Sequence, residues 1–356
     1  MRMNARFSTT KLSAVALLLT FMLLVTACGS NSNAGSEPTD AAASPGATEA
    51  AAEQPAVEPI TVVTSFYPLY YIASEIGGEH VAAFNLIPAG VEPHDWTPKS
   101  RDIDTASKAK LFLYHGAGLE GWVDSFLQGL DKNSGVVTKE MSEGISLIAA
   151  TEEEHAEEEA HEHDHEHEED GEHAHEEEGH SHGDNDPHTW VSPKSALKLA
   201  ENVKNSLIET DAANQAVYEQ NYETLKGKLE ALDQQYTEKL SQVTNKNIVV
   251  SHQAFGYLAR DYGLKQVSIM GLSPDAEPRA QDLLKIAKFV KENQVNYIFF
   301  EELVSDQLAR TLAAEANVDT MVLNPLEGLT PEQEKAGDTY LTLMERNLQN
   351  LVQALQ

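Results

Sequence analysis

Residues 60–87 read ITVVTSFYPLYYIASEIGGEHVAAFNLI. A β-branched run (60–66), a helical pattern (68–77) and a second strand-like run (81–87) follow one another, with a Gly-Gly turn and His80 before the second run. His80 is expected at the surface of that turn. Strands joined through a helix pair in parallel, so this unit predicts a parallel α/β sheet. The alternation continues through LFLYH (111–115) and GVVTK (135–139), with helices expected over 98–108 and 121–130. After a break it resumes with NIVVSH (247–252), KQVSIM (265–270), VNYIFFEE (295–302) and DTMVLN (319–324). The helices of this second set are expected over 254–262, 278–293, 305–316 and 337–355. The fold class is α/β, with two four-stranded parallel sheets in two lobes.

Between the two sets, Pro193 to about Gln242 is rich in Ala, Leu, Lys, Glu and Gln, without an interior Pro. Asp211 is placed to cap a fresh start, so one helix is followed by a second of about 30 residues. At 1.5 Å per residue the second is about 45 Å long, enough to run along both lobes as a stiff linker. Val217, Leu225, Leu229, Leu232, Tyr236 and Leu240 give it an apolar stripe. The expected domains are a signal segment (1–27), a tether (28–58), an N-terminal lobe (59–192), linker helices (193–244) and a C-terminal lobe (245–356).

The segment 151–186 contains 18 acids, nine histidines and no Lys or Arg. Without an apolar face it cannot bury enough surface to offset the entropy of ordering, so it reads as a loop. His155, His161, His163, His165, His167, His173, His175, His180 and His182 are expected to form an auxiliary metal-collecting segment, since imidazole suits Zn²⁺, Cu²⁺ and Ni²⁺. His161, Glu162 and His165 spell HExxH, but within a His/Glu tract the match arises by chance. The formal net charge of −32 argues against nucleic acid and against electrostatic adhesion to anionic lipid. At the start, Arg2, Arg6 and Lys11 precede AVALLLTFMLL and Val25-Thr26-Ala27-Cys28, the pattern of a secretion signal with a lipobox-like end. Cys28 is the only cysteine, which excludes an intrachain disulfide and suggests lipid modification of its thiol. A lipid anchor would place the mature chain on the extracellular face of the bacterial cytoplasmic membrane.

Three histidines outside the tract stand at the edges of the α/β units: His94 in PAGVEPHDW, His188 in NDPHTWVSP and His252 in VVSHQAFGYL. Ligands of open parallel sheets bind beyond the carboxyl ends of the strands, so these residues can converge on one inter-lobe cleft. His115 ends LFLYH and is either directed to the cleft mouth or a capping or solvent-facing residue. Gly116, Gly118 and Gly121 spell GxGxxG, a weak nucleotide signal on the third strand rather than the first, and a tight turn is the simpler reading.

PHDWTPK, DPHTW and SHQAFGYLARDYGL, with a His-rich acidic insertion before the second, resemble the zinc-binding lipoproteins that serve high-affinity zinc ABC importers. The resemblance covers about residues 60–356. It implies two (βα)4 lobes joined by a long rigid helix, a metal site in the cleft, Zn²⁺ as the bound ion, an ABC permease and ATPase as partners, a monomer, and no enzymatic step. By the same resemblance His94, His188 and His252 are ligands, His252 standing where manganese-binding relatives place a Glu. The fourth ligand would be Glu327 of LNPLE, because Asn324 occupies the position of the Asp used by other members. Glu301 and Glu302 compete for that role, or one of them pairs with Arg279 as a buried support. Glu92 could orient His94 or stand near the metal. A surface adhesin or a manganese receptor of the same fold is the alternative function, and a zinc hydrolase would need an open coordination position.

Overall fold

The computed structural model describes residues 58–150, 185–274 and 278–356. The signal-like segment, Cys28, the HExxH match and the nine tract histidines lie outside the described residues.

In the first sheet, β1 (Ile60–Thr64), β2 (Val81–Asn85), β3 (Leu111–Tyr114) and β4 (Val137–Glu140) lie in the order β2-β1-β3-β4, all parallel. The helices α1 (Tyr67–Gly77), α2 (Ser100–Ser107) and α3 (Val123–Gly129) connect them. A two-stranded antiparallel ribbon follows, β5 (Ile148–Ala149) with β6 (Asn185–Asp186), and pins together the two ends of the acidic tract. The helices α4 (Pro193–Thr210) and α5 (Gln215–Gln242) then lead into the second sheet. There β7 (Asn247–Val250), β8 (Lys265–Ser268), β9 (Tyr297–Phe300) and β10 (Asp319–Val322) lie in the order β10-β9-β7-β8, again parallel. Its helices are α6 (Gly256–Tyr262), α7 (Ala280–Glu292), α8 (Gln307–Ala316), α9 (Pro331–Ala336) and α10 (Tyr340–Ala354). Counted within each sheet, both have the second strand outside the first and the third and fourth on the other side. Each sheet therefore changes direction beside its first strand, where crossovers leave in opposite senses and open a crevice.

The α5 helix has 28 residues, so it spans about 42 Å. Tyr218, Leu225, Leu229, Leu232, Tyr236 and Leu240 form its buried stripe; Val217, expected in that stripe, is half-buried and its neighbour Tyr218 points inward instead. Each fully buried Leu contributes about 1.5–3 kcal/mol relative to an exposed one. Near its start Asn221 Nδ2 donates to the Ile76 carbonyl of α1, and near its end the Tyr236 hydroxyl donates to the Met344 carbonyl of α10. One helix thus grips an element beside each sheet. One apolar cluster joins Val62 and Leu111 of the first sheet, α1, α4, α5, α10, and Ile248 and Val250 of the second. The outer faces have separate clusters, one including Val63, Phe112 and Phe126, the other Val249, Ile298 and Leu312.

The start of α5 differs from expectation. Asp211 ends α4, and a short turn (Ala212–Asn214) intervenes. Rather than capping α5, the Asp211 carboxylate accepts from Asn214 Nδ2 at 2.7 Å and from the Tyr218 hydroxyl at 2.6 Å. The sequence-based strands of the second sheet run two residues too far, since Ser251-His252, Glu301-Glu302 and Leu323-Asn324 have left the ladder. Those residues build the crevice.

Candidate metal centre

His252 is the second residue beyond β7, and Glu301 the first beyond β9. Glu301 Oε1 accepts the His252 backbone N–H at 3.1 Å, while its Oε2 stands 2.7 Å from His252 Nδ1. The imidazole is held from behind, and Nε2 points into the crevice. His188 follows β6 and starts the turn that leads into α4. Asp186 Oδ1 accepts its backbone N–H at 2.9 Å and stands 2.9 Å from its Nδ1. His94 lies in the loop after β2, and its backbone N–H donates to Glu92 Oε1 at 3.1 Å. Glu327 lies in the loop after β10. All four residues are buried, at 7% exposure for His94 and 1% or less for the others.

Their donor atoms meet. Glu327 Oε1 stands 3.3 Å from His94 Nε2, 3.3 Å from His188 Nε2 and 3.4 Å from His252 Nε2. His188 Nε2 is also 3.3 Å from both His94 Nε2 and His252 Nε2, and all four atoms lie within 4.8 Å of one another. A regular tetrahedron with edges near 3.3 Å has its centre about 2.0 Å from each corner, the usual Zn–N and Zn–O bond length. Carboxylates at Nδ1 of His188 and His252 favour the Nδ1–H tautomer, which turns the Nε2 lone pairs toward that centre. Three lone pairs and a carboxylate oxygen facing one another repel unless a cation lies between them. Among the described residues Glu327 Oε2, moreover, has no hydrogen-bond partner.

The electrostatics agree with a cation site. Burial opposes an ionised Glu327, yet the three imidazoles hold its carboxyl well below the usual range. Burial also opposes a charged His252, but Glu301 and Glu327 outweigh it and raise its proton affinity well above the ordinary value. His188 is raised in the same manner by Asp186 and Glu327, against burial. In His94 burial prevails over Glu327 and lowers it. Glu92 is pushed up to about 9, first by burial and then by the charge of Glu327. The positions most easily charged are those with a carboxylate on both ring nitrogens.

Other residues singled out from sequence have different surroundings. His115 is fully buried rather than solvent-facing; its Nε2 lies 2.8 Å from the Pro187 carbonyl, behind His188 and outside the four-donor cluster. Glu301 supports His252 rather than pairing with Arg279, whose exposed guanidinium lies 3.8 Å from Asp282. Glu302 accepts amide hydrogens from Asn324 and Gln333 and is not part of the four-donor cluster. His80 is half-buried beside Glu79. The Gly116–Gly121 turn is closed by its own Glu120, whose carboxylate accepts the His115 and Gly116 N–H groups at 2.7 and 3.0 Å. An acid sits where a nucleotide phosphate would need those donors. Sequence reasoning overlooked Asp186, although the D-x-H spacing, repeated as E-x-H at Glu92 and His94, carries its signal.

The family model described as periplasmic zinc-uptake complex component A matches residues 62–354. The zinc-binding lipoprotein AdcA of Streptococcus pneumoniae is 42% identical over 298 residues, 83% of this chain and 55% of that relative. The chain thus spans about half the length of the streptococcal relatives it matches. The high-affinity zinc uptake system protein ZnuA of Bacillus subtilis is 38% identical over 345 residues, 97% of this chain and 98% of that relative. Among solved structures, the Zn(II)-bound ZnuA-like domain of S. pneumoniae AdcA superposes with a TM-score of 0.67 at 39% identity, covering 83% of this chain and 99% of that domain.

Proposed function

The chain belongs to the family of periplasmic zinc-uptake complex component A, and from that premise we propose that it captures extracellular Zn²⁺ and delivers it to the permease and ATPase of an ABC importer. The observation that carries this reading is the convergence of the donor atoms of His94, His188, His252 and Glu327, five of whose six separations are 3.3–3.4 Å, close to the edge of a tetrahedral zinc site. These four residues are the ligands. Hydrated zinc loses its water to three neutral imidazoles and one carboxylate, and no position is left on the ion for a substrate water. That supports transport of the ion as cargo over hydrolysis, which needs an open position. Glu301 and Asp186 orient their imidazoles through Nδ1, and Glu92 steadies the His94 loop. Protons compete for the same nitrogens, so affinity falls on acidification.

The mature chain is a monomer tethered through a lipid on Cys28 to the outer face of the cytoplasmic membrane. Among the described residues no helix is long and apolar enough to cross a membrane. The histidines of 151–186 collect zinc weakly near the crevice, to which that tract is joined directly through Asp186-Pro187-His188. Competition titration against a chromophoric chelator tests the assignment. The expected result is one tight Zn²⁺ per chain that disappears in His94→Ala and survives deletion of 155–184. Loss of the tight site with the tract, or its persistence in His94→Ala, would place the chemistry elsewhere.

A further inference from the structure

The carboxylate of the cluster comes from a loop, whereas His252 follows directly from a strand, and a loop has to be held by something. From 323 to 330 nearly every residue is held. The Leu323 N–H donates to the Phe300 carbonyl, just beyond the end of β10. Asn347 of α10 grips both sides of Asn324, its Oδ1 accepting the backbone N–H at 2.9 Å and its Nδ2 donating to the carbonyl at 2.6 Å. Trp190 Nε1 donates to the Pro325 carbonyl at 2.7 Å. The Gly90 N–H donates to the Leu329 carbonyl at 2.8 Å, which ties this loop to the one that carries His94.

The side chain of Asn324 makes the remaining connection. Its Oδ1 accepts the Leu326 N–H at 2.7 Å, and its Nδ2 donates to Glu302 Oε2 at 2.7 Å. The same Glu302 oxygen accepts Gln333 Nε2 at 2.7 Å, so two amides share one carboxylate. The partners fix the orientation of the Asn324 amide, since a backbone N–H demands the oxygen and a carboxylate demands the nitrogen. Leu326, fully buried, is held at φ 60°, a left-handed conformation that a bulky residue adopts only under constraint. Glu327 is the next residue.

Resting on the reading of Glu327 as a zinc ligand, we infer that Asn324 is its positioning residue: one acceptor and one donor on a short side chain lock the Leu326 turn and thereby deliver Glu327 Oε1 to the three imidazoles. An Asp at 324 retains the acceptor for Leu326 but turns a second carboxylate oxygen toward Glu302. The repulsion loosens the turn. Exchanging the partners, with Asp at 324 and Gln at 302, restores the donor–acceptor pair in the reverse sense. The new amide at 302 then donates to the carboxylate at 324, but the Glu302 oxygen it replaces also accepts Gln333 Nε2, so that second bond is lost and the restoration is partial.

The experiment compares Zn²⁺ affinity by chelator competition with the ligand-field spectrum of the Co²⁺-loaded protein, which reports the tetrahedral donor set. Asn324→Asp is expected to weaken zinc about tenfold or more and to shift the Co²⁺ bands. The double variant Asn324→Asp with Glu302→Gln is expected to recover part of both. Wild-type affinity and spectrum in Asn324→Asp, or a folded double variant without recovery, would overturn the inference. Should Asn324→Asp not fold, Glu302→Ala at its exposed position is expected to give a severalfold loss and a band shift, and no change would overturn it equally. Glu327→Gln separates the two levels. If that variant keeps wild-type affinity, the ligand reading fails; if it loses affinity while Asn324→Asp does not, only the positioning role fails.

Discussion

His252 and His115 are alike in position and opposite in use. Both lie just beyond a central strand, both are fully buried, and both have the backbone N–H held by a carboxylate: Glu301 at 3.1 Å for His252, Glu120 at 2.7 Å for His115. The difference lies at the ring. His252 has Glu301 at Nδ1 and presents Nε2 to the cluster, whereas His115 commits Nε2 to the Pro187 carbonyl. The proton affinities diverge accordingly, His252 raised by its carboxylates against burial and His115 pushed down by burial to about 3 despite that carbonyl. In His252 an acid stands at the far nitrogen and the near one faces the four-donor cluster, whereas in His115 a carbonyl occupies the near one.

Replacing His252 with Ala breaks the comparison most directly. One of the four proposed ligands is lost, and Glu301 is left without its imidazole; zinc affinity is expected to fall more than about 100-fold, beyond the range typical of supporting residues. Glu301→Gln probes the carboxylate alone. It retains an acceptor for the His252 N–H but no charge at Nδ1, so a loss of about 10- to 100-fold is expected by competition titration, with Asp186→Asn behaving alike at His188. Unchanged affinity in both would sink the contrast drawn from the pair.

His115→Phe should act mainly on the fold. It removes one of the two donors to the Pro187 carbonyl, which keeps the Thr189 N–H at 2.7 Å, for an expected loss of about 0.5–1.5 kcal/mol in urea unfolding and only a severalfold change in zinc affinity. An affinity loss of about 100-fold there would make His115 more than a backstop. The same residue is expected to shape the pH dependence of stability. His115 has a folded value of about 3 against an ordinary 6.5, so the unfolded chain takes up the proton first. The stability contributed by neutral His115 is therefore full above about pH 6.5 and drains as the pH falls toward 3. The metal-free His115→Phe variant should show a flatter decline of its urea midpoint across that window than the wild-type protein.

Local patterns carry the architecture. Eight runs of strand-forming residues and a long amphipathic segment are visible in 60–324, and the two sheets follow from them. The ends of the strands are less readable, since Ser251, His252, Glu301 and Asn324 continue the strand composition while their backbone has left the ladder. Pairing ends where neighbouring strands diverge at the crevice, which no local pattern records. The short α9 escapes the periodicity despite a readable capping box, in which Thr330 accepts from the Gln333 N–H and Gln333 Oε1 accepts from the Thr330 N–H. The β5–β6 ribbon escapes it too, because two-residue strands separated by the whole acidic tract carry no period. Charge alone draws Arg279 toward Glu301, but α7 starts beside it and Asp282, three residues on, is its nearer acid.

The sequence by itself determined the elements, the histidine and carboxylate chemistry, and through its motifs the four residues to watch, because side-chain type and short spacing are local properties. The tertiary structure alone decided which nitrogen of each histidine faces the crevice, that Asp186 and Glu301 stand at the others, and that Asn324 holds the turn before Glu327. Those are matters of ångströms between residues as far apart as 94 and 327. Such a cluster of donors forms only where the two sheets and one long helix fix those distances together.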